Sequence, residues 1–219
     1  MSGVADPCSL REPGPAEDFE VRELTHADVA EWYHVYCTRS HPDTRADTFA
    51  EGWGDTRFAP ILTETGTPVH TYYVASTPEA ACMESVLHDV SLSPPGVFEV
   101  ASLAHFHLVR LRLPTSLHFV SFHTPFLPRL RIERSQLVDS LPVCYAKTRR
   151  WCQAAYLQRS AAQAVGYGSR RDDSARCLML FKQRLPTPPF EVLGEEPLAV
   201  GGRRAGVLAL VRSLKLHEV

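Results

Sequence analysis

The stretch Val69-His70-Thr71-Tyr72-Tyr73-Val74-Ala75-Ser76-Thr77-Pro78-Glu79-Ala80-Ala81-Cys82-Met83-Glu84 holds a strand, a helix and the junction between them. Val69 to Ser76 is rich in β-branched and aromatic residues, which pack well on a pleated surface. Thr77 then supplies an N-cap side chain, Pro78 the fixed φ suited to a first helical position, and Glu79 a first-turn carboxylate. On this helix Ala80, Met83 and Leu87 are expected to face the core, with Glu84 about one turn below Ala80.

Upstream, residues 40–67 carry Pro42, Gly52, Gly54, Pro60 and Gly66 without sustained periodicity. They predict a long loop, a feature that compact domains often use for function. Trp32 to Tyr36 has strand character. Thr25-His26-Ala27-Asp28 has the form of a helix start with a partial capping box. Residues 1–19 are acidic and rich in proline and glycine, and are expected to be disordered or loosely attached.

Downstream, His105–Leu113 and Leu117–Phe122 read as strands broken at Pro114-Thr115. Val143–Ala164 is the longest helical pattern, with Tyr145, Thr148, Trp151, Cys152, Ala155 and Leu157 as its apolar positions. Cys177–Lys182 and Val207–Val211 read as further strands. Several strands with two or three helices in irregular order predict an α+β fold, one domain over residues 20–219, with no internal repeat.

The 219 residues suffice for one well-cored domain. No stretch approaches the roughly 20 apolar residues that span a bilayer, and the charged N-terminus does not read as a secretory signal. A cytoplasmic location without membrane attachment is the expectation. The net charge of −2 provides no global field for nucleic acid. The cationic residues comprise 20 Arg and 3 Lys, and arginine binds phosphate bidentately while staying charged when partly buried. Six cysteines without a C-x-x-C pair are expected to be reduced thiols, mostly buried. His105 and His107 would share one face of a strand, but no Cys or carboxylate stands nearby at ligand spacing. They are read as core or surface histidines, and no metal is expected.

Three short segments carry candidate chemistry. Arg57 lies between Gly54 and Pro60, with Phe58 beside it as an anchor. It is either a surface arginine beside a loop or a guanidinium fixed to clamp a pyrophosphate. Glu84 is either solvent-facing or, near an apolar face, a carboxylate that could stabilise an oxocarbenium-like transition state or bind a ribose hydroxyl. Ser169 follows Gly166-Tyr167-Gly168, as a turn serine or a hydrogen-bonding group for a ligand. Arg171 replaces the last glycine of a G-x-S-x-G elbow, and no triad partners are evident, so a serine hydrolase is rejected. Gly201-Gly202-Arg203-Arg204 is neither a P-loop nor a dinucleotide fingerprint.

In this order the segments resemble the RES domain, named for its Arg, Glu and Ser. The matching residues are Arg57-Phe58-Ala59-Pro60, Gly66-Thr67-Pro68-Val69, Tyr73-Val74-Ala75, Ala81-Cys82-Met83-Glu84, and Gly166-Tyr167-Gly168-Ser169 before Leu178-Met179-Leu180-Phe181. The resemblance covers about residues 30–185. It implies a fold similar to ADP-ribosyltransferase toxins, with NAD⁺ as substrate and an Xre-like antitoxin as partner; homodimerisation is left open. It further implies that Arg57 grips the pyrophosphate, Tyr73 walls the nicotinamide, Ser169 orients its ribose and Glu84 stabilises the developing cation. Water as acceptor would make the protein an NAD⁺ glycohydrolase, and a protein side chain would make it an ADP-ribosyltransferase. A binding module that kept the fold and lost turnover is the third possibility. Many members carry an arginine where this chain has His34 in Trp32-Tyr33-His34-Val35. NAD⁺ binding is therefore expected to be weaker or pH-dependent, unless Arg39 or Arg45 substitutes.

Overall fold

The computed structural model describes residues 8–39 and 41–219. The strands are β1 (Val21–Thr25), β2 (Trp32–Cys37), β3 (Thr71–Ala75), β4 (Val97–Phe98), β5 (Phe106–Arg112), β6 (Ser116–Ser121), β7 (Ala164–Gly168), β8 (Arg176–Phe181), β9 (Glu191–Pro197) and β10 (His217–Glu218). The α-helices are α1 (Pro78–Met83), α2 (Arg134–Leu137), α3 (Tyr145–Gln158) and α4 (Gly201–Ser213). Eight strands form one mixed sheet in the order β1-β6-β7-β8-β3-β2-β5-β9, while β10 and β4 pair separately. The fold is α+β, as expected.

Alternation along the strands divides the apolar residues between the two faces of this sheet. Val35, Ala75, Val165 and Cys177 point toward the side where α1, α3 and α4 pack, in a cluster that includes Phe58, Leu87, Phe122 and Trp151. Trp32, Tyr36, Tyr72, Val74, Leu178 and Leu180 point the other way. There they meet Leu24 and Leu117 from one end of the sheet and Val109 and Leu111 from the other. The sheet therefore curls around this second cluster.

One join in the sheet is weak. Strands β2 and β3 pair through Tyr33 and Ala75 alone, whereas β2 pairs with β5, and β3 with β8, along their lengths. The two strands splay from that pair. In the gap, the His34 Nδ1–H donates to the Tyr73 carbonyl at 2.7 Å, so a side chain spans a distance that a ladder bond would normally close.

The junction read from Thr77 and Pro78 forms as expected: the Thr77 hydroxyl accepts from the Ala80 N–H, and Pro78 opens the helix. The helix is shorter than expected, ending at Met83 with Glu84 as its C-cap. Thr25–Asp28 is a turn, not a helix start; the Asp28 carboxylate accepts from the Thr25 amide and hydroxyl and closes it locally. Val207–Val211, expected as a strand, lies inside α4, where Val207, Leu208 and Val211 form its buried face. A run of five apolar residues does not separate the two periods. Leu157, expected on the buried face of α3, is exposed on it.

The N-terminal expectation also changes. Residues 1–7 lie outside the described residues, whereas residues 8–19 are irregular in backbone but firmly attached. Arg11 forms a bidentate pair with Glu17 at 2.7 Å and lies over the Trp151 ring, 4.5 Å from its centroid. The Trp151 indole N–H donates to the Arg11 carbonyl, and Lys147 Nζ donates to the Leu10 carbonyl. Cys8 and Cys144 form a disulfide across 136 residues, with Cα atoms 5.3 Å apart, correcting the expectation of six reduced thiols. The contact is made by tertiary packing, and sequence spacing carries no trace of it. Cys37, Cys82, Cys152 and Cys177 are free thiols, the last three buried.

Candidate active site

A cavity of about 470 Å³ opens where β2 and β3 separate. Its walls come from those strands, the loop before β3, the segment after α1 and the start of α3. Arg57, Tyr73, Glu84 and His34 all line it, so four of the five residues singled out in sequence meet around one space.

Arg57 is not a surface residue. It is 6% exposed, and its Nε is buried without a hydrogen-bond partner. The hydroxyl of Thr148 on α3 donates to the Arg57 carbonyl, fixing the backbone beneath the side chain. The guanidinium lies 5.7 Å from the Tyr145 ring centroid. The Tyr145 hydroxyl is likewise buried without a partner. Two residues that line the same cavity thus each carry a buried polar atom without a partner among the described residues, in an interior where such groups are normally satisfied.

Glu84 gains its position from the C-cap of α1. Its Oε1 accepts from the Ser169 hydroxyl at 2.6 Å and from the Arg170 amide at 3.1 Å. Ser169 is fully buried and does not line the cavity. Its hydroxyl accepts from the Arg171 amide at 3.0 Å and the Asp172 amide at 3.1 Å while donating to Glu84. One proton and two lone pairs are the whole capacity of a hydroxyl. In this arrangement all of that capacity is used within the protein, and Ser169 bears on the cavity through Glu84.

The turn that carries Ser169 is itself clamped. Arg134 donates to the Ser169 carbonyl at 2.8 Å, to Asp139 at 3.0 Å and to Asp173 at 2.9 Å. A Cβ at Gly168 would come within 2.9 Å of Arg134 Nη1, so the glycine admits this close approach. Arg171 donates to the carbonyls of Val90 at 2.9 Å and His88, tying the turn to the segment that follows Glu84.

Tyr73 donates or accepts through its hydroxyl with Thr56 at 2.8 Å, beside Arg57. Burial raises its phenol above the ordinary range and keeps it neutral. His34 does not replace a missing arginine as a cation. Burial holds its imidazole down to about 4, outweighing the opposing effect of its bond to the Tyr73 carbonyl. Arg39 and Arg45 are exposed and do not line the cavity.

His34 and His123, which burial also lowers to about 4, link stability to acid. Above the ordinary histidine value of 6.5, both are neutral folded and unfolded. As pH falls below it, the unfolded chain binds protons that the folded chain refuses, so stability falls until the folded groups titrate near pH 4. Urea melts at pH 7 and pH 5 are expected to show this loss. His34→Gln, neutral throughout and still a donor, is expected to show a shallower one; equal slopes would remove His34 from the linkage.

The residues missed in sequence are Thr56, Tyr145, Arg134 and Arg171. Tyr145 was visible only as a helical core position, because the side that its hydroxyl faces is decided by the packing of α3. His105 and His107 do not form a pair on one strand face: His105 closes a 3₁₀ turn, while His107 stacks on Tyr36 with ring centroids 5.0 Å apart.

An α+β domain whose sheet opens around a buried arginine and a serine-tethered glutamate is the class that fold and site define. The RES domain family model matches residues 31–196, and the chain belongs to that family. The crystal structure of the M. tuberculosis MbcT–MbcA toxin–antitoxin complex contains a chain with a similar fold, at TM-score 0.56 and 15% identity. The match covers 84% of this chain and 88% of that one. No curated protein matches the sequence. Among the described residues, no helix is long and apolar enough to cross a membrane.

Proposed function

We propose that the protein binds NAD⁺ in this cavity and cleaves the nicotinamide–ribose bond, with water as acceptor. The observation that supports this most strongly is the buried Arg57 guanidinium, which lacks a carboxylate partner within 4 Å among the described residues and faces a cavity that also holds Glu84. Burying an unpaired charge is costly, and a pyrophosphate would supply the missing countercharge through bidentate hydrogen bonds.

On this reading Glu84 faces C1′ of the nicotinamide ribose. As the C–N bond lengthens, its electron pair leaves with nicotinamide and positive character grows on the sugar. A fixed carboxylate stabilises that charge without reorganising. Water then adds at C1′ and releases a proton, giving ADP-ribose. Ser169 and the Arg170 amide hold Glu84 in place, so Ser169 is a positioning residue. Tyr73 and Tyr145 provide flat walls for the nicotinamide ring.

The partner that fits the reading is an antitoxin protein that closes the cavity. The RES resemblance and the toxin–antitoxin complex with the similar fold support it. The test is to incubate the purified protein with NAD⁺ and follow nicotinamide and ADP-ribose by chromatography. Equimolar release of both is expected. Nicotinamide without free ADP-ribose would mean transfer to another acceptor, and neither product would defeat the reading. Expression in bacteria is expected to arrest growth as cellular NAD⁺ falls.

A further inference from the structure

The gap between β2 and β3 opens into a second cavity of about 420 Å³. It shares His34, Val35, Thr56 and Tyr73 with the first, so the two spaces meet at the bond from His34 to the Tyr73 carbonyl. Their chemistry differs sharply. The first is lined by Arg57, Glu84, Asp55 and Asp89, whereas the second has no Asp, Glu, Lys or Arg among the described residues of its lining. Its walls are the rings of Tyr36, Tyr72 and Trp53 with the hydroxyl side chains of Thr44, Thr48 and Thr71.

Trp53 is the unusual member of that wall. Its indole is 44% exposed at a loop crest and sits 4.6 Å from the His41 ring, centroid to centroid. Gly52 and Gly54 on either side have φ of 89° and 100°, in the left-handed region that glycine adopts without strain. A Cβ on Gly52 would also meet Pro68 at 2.7 Å. The backbone is thus shaped to present a large aromatic ring to solvent beside a cavity, where burial alone would have drawn it inward.

Taking NAD⁺ as the ligand of the first cavity, as proposed above, we infer that the second cavity receives the adenine base, stacked against Trp53. The cationic nicotinamide belongs with Glu84, and the neutral adenine belongs with neutral rings. Thr56, which lines both cavities, adjoins Arg57 and marks the crossing point for the pyrophosphate between them. An aromatic platform suits a base because stacking needs no charge and tolerates an exposed edge.

The experiment compares the parent, Trp53→Ala and Trp53→Phe in two assays. Calorimetric titration with 5′-AMP is expected to show affinity falling about tenfold in Trp53→Ala and largely kept in Trp53→Phe, within the range for loss of one base stack. In steady-state nicotinamide release, KM for NAD⁺ is expected to rise about tenfold more than KM for nicotinamide mononucleotide, which lacks the adenylate half. AMP affinity unchanged in Trp53→Ala, or no AMP binding by the parent, overturns the base site, even where NAD⁺ is cleaved. Trp53-dependent AMP binding by a protein that releases no nicotinamide upholds the base site and defeats the reaction instead.

Discussion

Glu84→Gln is expected to lower kcat for nicotinamide release by about 100-fold or more while leaving KM for NAD⁺ within a few-fold of the parent. The amide keeps the size of the carboxylate, and its carbonyl can still accept from the Ser169 hydroxyl and the Arg170 amide, the two donors that now meet Oε1. What the substitution removes is the negative charge, which matters most when positive character develops on the ribose. Loss of one fixed electrostatic contact to a transition state typically costs this much. A contact made mainly in the transition state is read in kcat, not in KM. The measurement is nicotinamide release against NAD⁺ concentration, alongside a thermal melt that verifies folding. Turnover near the parent's in a well-folded Glu84→Gln protein would take Glu84 out of the chemistry.

Arg57 is expected to give the opposite kinetic signature. Arg57→Lys keeps a positive charge but loses the planar fork, so KM for NAD⁺ should rise at least tenfold with a smaller change in kcat. Arg57→Met removes the charge and keeps most of the stem. Charge-assisted hydrogen bonds contribute about 1.5–3 kcal/mol each, so binding of NAD⁺ or ADP-ribose should fall by one to two orders of magnitude or more. Its effect on the free protein should run the other way. The guanidinium is buried, its Nε has no partner, and its aromatic neighbour is 5.7 Å away; removing an uncompensated buried charge should leave Tm equal or higher. Calorimetric binding and thermal melts on both variants test the pair of claims. A large drop in Tm with unchanged NAD⁺ affinity would make Arg57 a structural residue.

Much of the site was legible because its residues sit at signals that are local. Thr77 and Pro78 announce the start of α1, the helix that leads to Glu84, although its end at Met83 was not read. The turn formers Gly54 and Pro60 announce the loop that delivers Arg57. Gly166 to Ser169 stood out as a motif before the apolar strand β8, although β7 itself, Ala164–Gly168, was not read. The architecture around them was harder to read. Val207–Val211 is too short for its period to be measured, and its helical identity comes from packing against the sheet. The disulfide between Cys8 and Cys144 joins segments 136 residues apart, where spacing says nothing. The partners of Ser169 were not legible for a related reason. A serine after a glycine reads as available to a ligand, and only the converging Arg171 and Asp172 amides show that its hydroxyl is already committed.

The solitary Tyr33–Ala75 pairing divides the main sheet into a five-stranded body, from β1 to β3, and a three-stranded wing of β2, β5 and β9. Each part carries its own ladders, with a register shift at Arg110/Leu111 in the wing, while at the seam a single residue pair joins the two parts. Amides along the seam should accordingly exchange with solvent through local opening, at a free energy below that of global unfolding. A ligand lying across the gap touches both parts and would couple them as a splint does. Occupancy would then be read in slowed amide exchange along β2 and β3 and onward into β5 and β9, and the wing would become a reporter of the chemistry in the body.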